Sequence, residues 1–390
     1  MLLRLLPLAM AMFAVGTDGF VIAGLLPALA ADLDVTTPVA GQLVTVFAVT
    51  LAVAAPVLGA ATSHLDQRTV LMLGLGGFVV GNVLTALGTT YPLVLAARMA
   101  TAAGAGLIGA AAFASAAGIA PPQRRGTALA VVMGGLTSAT ALGLPIGTLI
   151  GSSDWRITLW AVAGLGLLAA AGVAVGVPRI TPTAAPLRQR LAPLRERWVL
   201  GVLAATALTL TGIHVLYTYL AVATAESTLG SPALLTLVLA TWGVGTVVGT
   251  VVVGPAIDRY TAERVLVVGL LGMAAVLAVT PLVLGDLTAT LVWVALWGFC
   301  VGLPVVPQQH RLTAHAPAAA PVLIGLASSA IYAGVAAGGA LGGLAQLWIT
   351  PELLGLLGAV LVAAALLLTI RPAAQAGNDF AKQRLSGDVR

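Results

Sequence analysis

Residues 5–29 read LLPLAMAMFAVGTDGFVIAGLLPAL, a run that is apolar or small except at Thr17 and Asp18. About twenty apolar residues are enough for a helix to cross a bilayer. A carboxylate at that depth is costly, so it normally faces protein or a water cavity and marks a proton or substrate pathway. Asp18 is also the only acidic residue inside any of the chain's apolar runs. The run imitates a signal peptide, with Arg4 ahead of it and Ala28-Leu29-Ala30 like a cleavage site. It is too long for that role, Asp18 interrupts it, and further apolar runs follow, so it reads as a retained first helix.

Working outward, the 390 residues are 59% hydrophobic and 8% charged, with mean hydropathy +1.07. So few charges cannot cover a soluble surface, and the composition is that of a polytopic membrane protein. Continuous rather than alternating apolar runs favour helices over a barrel. The net charge of +5 does not indicate nucleic acid, because the basic residues lie in short loops between runs. Cys300 is the only cysteine, which excludes an intrachain disulfide and a cysteine-based metal site.

Apolar runs predict helices over 5–29, 39–62, 69–88, 93–118, 127–151, 157–177, 198–221, 232–256, 264–284, 288–309, 321–346 and 351–370. The fold class expected is therefore an all-α membrane protein of twelve transmembrane helices in two pseudo-symmetric six-helix bundles. Of the 18 basic residues, 16 fall on one side, only Arg156 on the other, and Arg98 inside a helix. The opposite loops carry Asp32, Asp34, Asp154, Glu226, Asp286 and Glu352. The excess of positive charge marks the cytoplasmic side and puts both termini there. The expected organisation is an N-terminal bundle at 1–177, a Pro- and Arg-rich cytoplasmic linker at 178–197, a C-terminal bundle at 198–370 and a polar cytoplasmic tail at 371–390, which its composition predicts to be disordered.

The halves echo each other. Gly254, Asp258, Arg259 and Arg264 follow the eighth run, and Gly59, Asp66 and Arg68 follow the second. The first set resembles the signature loop of the major facilitator superfamily; in the second, Ser63 stands where that family has Asp. In such a loop the Gly allows close helix approach, and the Asp caps a helix start or pairs with basic residues, latching one conformation. A solvated turn with ordinary inner-side charges is the plainer reading of both. Around Arg98 the sequence Leu95-Ala-Ala-Arg98-Met-Ala-Thr-Ala-Ala-Gly104 is similar to the helix-4 motif of drug:proton antiporters. Gly143, Pro145 and Gly147 resemble the Gly/Pro helix-5 motif associated with antiport, in which small residues admit the partner helix of the other half and Pro bends the helix. The stretches Thr17-Asp18-Gly19-Phe20, Pro121-Pro122-Gln123-Arg124-Arg125-Gly126 and Asp154-Trp155-Arg156 look like the bacterial twelve-helix efflux permeases that include arabinose-efflux-like and chloramphenicol-resistance proteins. That branch usually has Glu near the place of Asp18, and often a His near Ala105.

The resemblance implies a proton-coupled secondary transporter that exports a small, moderately apolar compound, amphenicol-like, by alternating access, driven by the proton gradient with no cofactor. It further implies a monomer, multi-pass in a bacterial inner (plasma) membrane, whose partners are substrate, protons and lipid rather than nucleic acid. Asp18, Arg98 and His214 are the proton-coupling candidates. Asp18 either alternates between protonated and ionised forms or stays neutral, bonded to backbone or Thr17. Arg98 either biases a nearby acid or snorkels to the outer interface; its partner is not readable. His214 is a second protonation site or a hydrogen-bonded helix contact. Helices 1, 4, 7 and 10 line the cavity in the family, which gives Phe20, Tyr217, Trp293 and Trp297 as substrate contacts, with Phe47, Trp242 and Tyr332 behind them. An aromatic, weakly charged cavity suits a drug-sized ligand. A sugar or small-metabolite efflux permease is the alternative, with Gln308 and Gln309 its polar candidates. A non-transporting receptor or scaffold would need neither Asp18 nor the loop motif, and an intramembrane enzyme would need a nucleophile–base pair or metal ligands at depth.

Overall fold

The computed structural model describes residues 2–180 and 192–387, and among these the chain is helical with no strand. Most of the linker expected at 178–197, and the last three residues of the tail, lie outside the described residues. The long helices are α1 (Leu2–Asp32), α2 (Thr37–Ala61), α3 (Gln67–Leu87), α4 (Tyr91–Ile119), α5 (Arg125–Ile150), α6 (Trp155–Gly176), α7 (Arg197–Tyr217), α8 (Pro232–Arg259), α9 (Ala262–Ala278), α10 (Leu287–His315), α11 (Ala320–Ala345) and α12 (Leu354–Gly387). Eleven are long and apolar enough to cross a membrane; α9 is not among them.

The run expected at 264–284 is divided into α9, of 17 residues, and a separate short helix at Thr280–Val283. The cause is Pro281, which has no N–H to give the carbonyl four residues back. That carbonyl belongs to Leu277, and the Thr280 hydroxyl donates to it instead at 2.7 Å. At the other extreme α12 runs on to Gly387, where the composition predicts a disordered tail. Its Ala, Gln, Lys, Arg and Leu are all good helix formers, and they continue the turn begun in the apolar part.

Within the first half α3 packs on α4 and α6, α2 on α4, and α1 on α5 and α6. Within the second, α8 packs on α10, α7 on α11 and α12, and α9 on α12. The most extensive packing between the halves is that of α2 with α11 and of α5 with α8. Their close approaches lie toward the end that carries the acidic loops. There Gly41 meets the Tyr219 ring, Gly339 meets Thr45, and Gly243 meets the backbone of Thr140 and Ala141. A continuous apolar cluster at the same end unites Ala23, Leu26 and Ala30 of α1 with Tyr217, Leu239 and Trp242 of the second half. The acidic-loop end is thus closed.

Candidate functional site

Asp18 and Arg98 meet. An Arg98 guanidinium nitrogen (Nη1) donates to Asp18 Oδ1 at 2.7 Å, and both side chains are fully buried. Nη2 reaches the backbone carbonyl of Asp18 at 3.4 Å. The guanidinium also lies over the Phe47 ring, 4.4 Å from its centroid. Three helices therefore build the site: α1 brings the acid, α4 the base, and α2 an aromatic face that attracts the cation through its ring quadrupole. Asp18 Oδ2, Arg98 Nε and the neighbouring Thr17 Oγ1 have no hydrogen-bond partner among the described residues. The pair is sealed from the surface, and its hydrogen-bonding capacity is incompletely satisfied. Breaking it by removing one partner would leave a bare buried charge.

Beside it runs a chain of aromatic rings. Phe20 meets Tyr217 edge-on with centroids 6.0 Å apart, and Tyr217 lies 4.5 Å from Trp242. Trp242 is 6.0 Å from Trp297, which stacks on Trp293 at 5.3 Å. The Tyr217 hydroxyl donates to the Phe20 carbonyl at 3.2 Å, so this chain also bridges the halves. Of the seven expected cavity residues, five are in this aromatic chain, where they pack against each other. Phe47 sits under Arg98 instead, and Tyr332 of α11 packs against the cluster of the first half that contains Phe47.

His214 is nine-tenths buried and bonds its own helix, Nδ1 to the Leu210 carbonyl at 3.0 Å. Its ring meets Tyr217 at 5.5 Å, and Gly338 of α11 lies against its Cβ. The contacts of His214 are thus those of a hydrogen-bonded helix residue; none of them is with Asp18 or Arg98. Gln308 is buried, accepts from Arg311 at 3.3 Å, and leaves its amide nitrogen unpaired.

The loop motifs divide. Asp66 is the N-cap of α3: its carboxylate accepts from the Thr69 N–H at 3.1 Å and the Thr69 hydroxyl at 2.7 Å. The Thr69 hydroxyl bond above all, opposed by burial and aided by the Thr69 N–H, holds its carboxyl below the usual carboxylate range. Arg68 donates to the Ala174 carbonyl near the end of α6 and so ties α3 to α6. In the second half no such pairing is made in this conformation among the described residues. Asp258 lies exposed in the last turn of α8, outside any ion pair among the described residues, and Thr261 caps α9 by accepting from the Arg264 N–H at 3.3 Å. Gly254 has open space where a Cβ would stand, so no helix approaches there. Arg259 lies over the Tyr260 ring at 5.4 Å.

In α5, a π-helical turn at Ala139–Gly143 precedes Pro145. Its Leu144 N–H bonds the Ala139 carbonyl, five residues back. Gly143 and Gly147 face α1, against Thr17 and Val21, rather than the other half as expected from the motif. The close approach to the other half comes from Gly243 of α8. Sequence reasoning also missed Tyr219, whose hydroxyl donates to the Gly339 carbonyl at 2.8 Å. The signal was present in the small-residue run Gly338-Gly339-Ala340-Leu341-Gly342-Gly343, which invites a ring or a helix to come close.

The comparisons with known proteins agree with this fold. The sequence profile described as Major Facilitator Superfamily matches residues 8–225 and 202–387. Among curated proteins, the chain is 34% identical to a chloramphenicol resistance protein of Streptomyces lividans, over 87% of this chain and 91% of that one. It is 33% identical to the MFS-type transporter YbcL of Bacillus subtilis, over 86% of this chain and 87% of that one. It is 32% identical to the inner membrane transport protein YdhP of Escherichia coli K12, over 86% and 88%. Among solved structures, a partially occluded inward-open conformation of the xylose transporter XylE from E. coli superposes with a TM-score of 0.74 at 16% identity, covering 95% of this chain and 97% of that one. With its apolar helices and its profile match across both halves, the chain belongs to the Major Facilitator Superfamily of multi-pass membrane transporters.

Proposed function

We propose that the protein is a proton-coupled exporter of a small, moderately apolar compound of amphenicol type, and that Asp18 is its protonatable group. The observation that carries this reading is the fully buried Asp18–Arg98 pair, with one carboxylate oxygen unoccupied. A proton on that oxygen neutralises Asp18 and leaves Arg98 held chiefly by the Phe47 face. Loss of the proton restores the ion pair. Each state therefore stabilises a different arrangement of α1 against α2 and α4, which is what a coupled carrier requires.

The arginine-rich ends face the cytoplasm in this reading, so the closed acidic-loop end faces outward. The two six-helix halves rock about the α2–α11 and α5–α8 contacts. The chloramphenicol resistance protein of S. lividans, one-third identical along nearly its whole length, favours drug export over the sugar reading. The structural likeness to a xylose transporter bears on the fold alone.

The test is accumulation of labelled chloramphenicol in cells that express wild type or Asp18→Asn, with and without an uncoupler. The reading expects low accumulation in wild type, raised to the level of control cells by either the uncoupler or the substitution. Equal accumulation in all samples with verified expression removes this drug as substrate. Full uncoupler-sensitive efflux by Asp18→Asn removes Asp18 as the coupling group.

A further inference from the structure

Two indole N–H groups in the aromatic chain have nothing to bond. Trp242 Nε1 and Trp297 Nε1 are buried without an acceptor among the described residues, and their rings are 6.0 Å apart. The other polar atoms of the same group are satisfied: Trp293 Nε1 donates to the Val276 carbonyl at 2.8 Å, and the Tyr217 hydroxyl to the Phe20 carbonyl at 3.2 Å. The two orphans are therefore adjacent and alone. A buried donor left unpaired carries its full desolvation cost, and Trp normally finds a partner when buried. Such a group calls for an explanation in another state of the molecule.

The packing supplies that state. Phe20 belongs to the first half, while Tyr217, Trp242 and Trp297 belong to the second, and Phe20 is the ring that covers Tyr217 and Trp242 from across the divide. When the acidic-loop end opens, Phe20 withdraws and the face behind it is uncovered. That face is apolar and poor in acceptors: Tyr217, Trp242, Trp293 and Trp297 include no carboxylate or amide side chain, and the Tyr217 hydroxyl oxygen is the one side-chain acceptor among them. A polyol set there would leave its own hydroxyl donors unpaired, which a hydrogen-bonding site penalises heavily. A largely apolar compound with a flat ring and a carbonyl, nitro or ether oxygen would offer these indoles the acceptor they lack.

We infer that Trp242 and Trp297 determine specificity, donating from their indole nitrogens to neutral acceptor oxygens on a flat apolar substrate. This rests on the reading of the chain as an exporter of apolar compounds and names the chemistry which that site selects. It does not depend on proton coupling, and the test uses no gradient.

The experiment measures binding to the purified full-length protein in detergent, with chloramphenicol as the acceptor-bearing probe and tetraphenylphosphonium as an apolar probe with no acceptor. Trp242→Phe and Trp297→Phe keep a ring and delete the donor. Each is expected to weaken chloramphenicol binding about 5- to 10-fold, the worth of one neutral hydrogen bond, and to change tetraphenylphosphonium binding less than about twofold. Unchanged chloramphenicol affinity, an equal loss for both probes, or no saturable chloramphenicol binding by wild type would each overturn the inference. A failure of proton coupling appears elsewhere, as uncoupler-insensitive efflux, and leaves the contrast between probes intact.

Discussion

Tyr219 is wedged beside Gly41: the tyrosine, just beyond α7 in the second half, fills the place where a side chain on Gly41 of α2 would stand. Its hydroxyl is held at the same time by the Gly339 carbonyl of α11 at 2.8 Å, and Gly342 and Gly343 are also within contact. The ring therefore closes the acidic-loop end only while position 41 has no Cβ. Gly41→Val should prevent closure and hold the molecule open at that end. A cysteine placed near Gln42 should then label with a membrane-impermeant thiol reagent several-fold faster than in the wild-type background, and transport should fall to background. Unaltered labelling would show that the wedge does not govern closure.

The Asp18–Arg98 pair lends itself to a double-mutant cycle. Asp18→Asn or Arg98→Met alone leaves one buried group without its partner, and each should lower stability by about 3–5 kcal/mol. The double substitution removes both charges, so it should recover most of that loss while remaining inactive in transport. Unfolding in detergent reads the stability arm. If the double variant were as unstable as the sum of the singles, the two residues would not interact as the geometry states.

Phe47 contributes through its face and not its volume. Phe47→Leu retains apolar bulk but deletes the quadrupole under Arg98, a loss of about 1–2 kcal/mol at a desolvated site. Phe47→Tyr should keep the interaction. In the proton-release reading, Phe47→Leu should shift the pH dependence of efflux while Phe47→Tyr should not; equal profiles for the two would assign Phe47 to packing alone.

Asp66 should behave as a helix cap. Asp66→Ala should cost about 0.5–2 kcal/mol and Asp66→Asn much less, since Asn caps nearly as well. The carboxyl is held below its ordinary value of 3.8 by the Thr69 bonds, so its folded pKa is depressed. The corresponding stability is present above that value and is lost as pH falls through the folded pKa. Thermal melts of wild type between pH 5 and pH 3 should show this loss, and Asp66→Asn should lack it.

How far the sequence reached differs from residue to residue. Rise along a helix gave depth: Asp18 near the middle of α1, and Arg98 on the order of 10 Å inside the end of α4. Depth does not give azimuth. Whether the arginine turned toward α1 or toward lipid depended on how α4 packed, and that is set by residues such as Gly104 against the backbone of α3. The aromatic residues were legible as a set, because Trp and Tyr are scarce in this chain, but their mutual packing needed the crossing of α1 with α7, α8 and α10. Motifs were least reliable where small residues stood at a helix end. Gly254 looked like a contact and has empty space beside it, whereas Gly41 carried no motif and makes one. The break at Pro281 was missed because a proline does not always end a helix: Pro7, Pro27, Pro56 and Pro255 lie inside unbroken ones.

The π turn of α5 has a further meaning for its length. The small residues that meet α1 stand at 135, 139, 143, 147 and 151, opposite Ala9, Gly16, Thr17, Val21 and Leu25. A stride of four overshoots a 3.6-residue turn by about 40° each time, so four strides would carry the row roughly 160° around the helix and away from its neighbour. The π turn takes one residue more into a closed ring, which sets the row back by about 100°. It acts as a leap day does in a calendar, absorbing a drift that each ordinary step leaves behind and keeping the two helices in phase along their shared length.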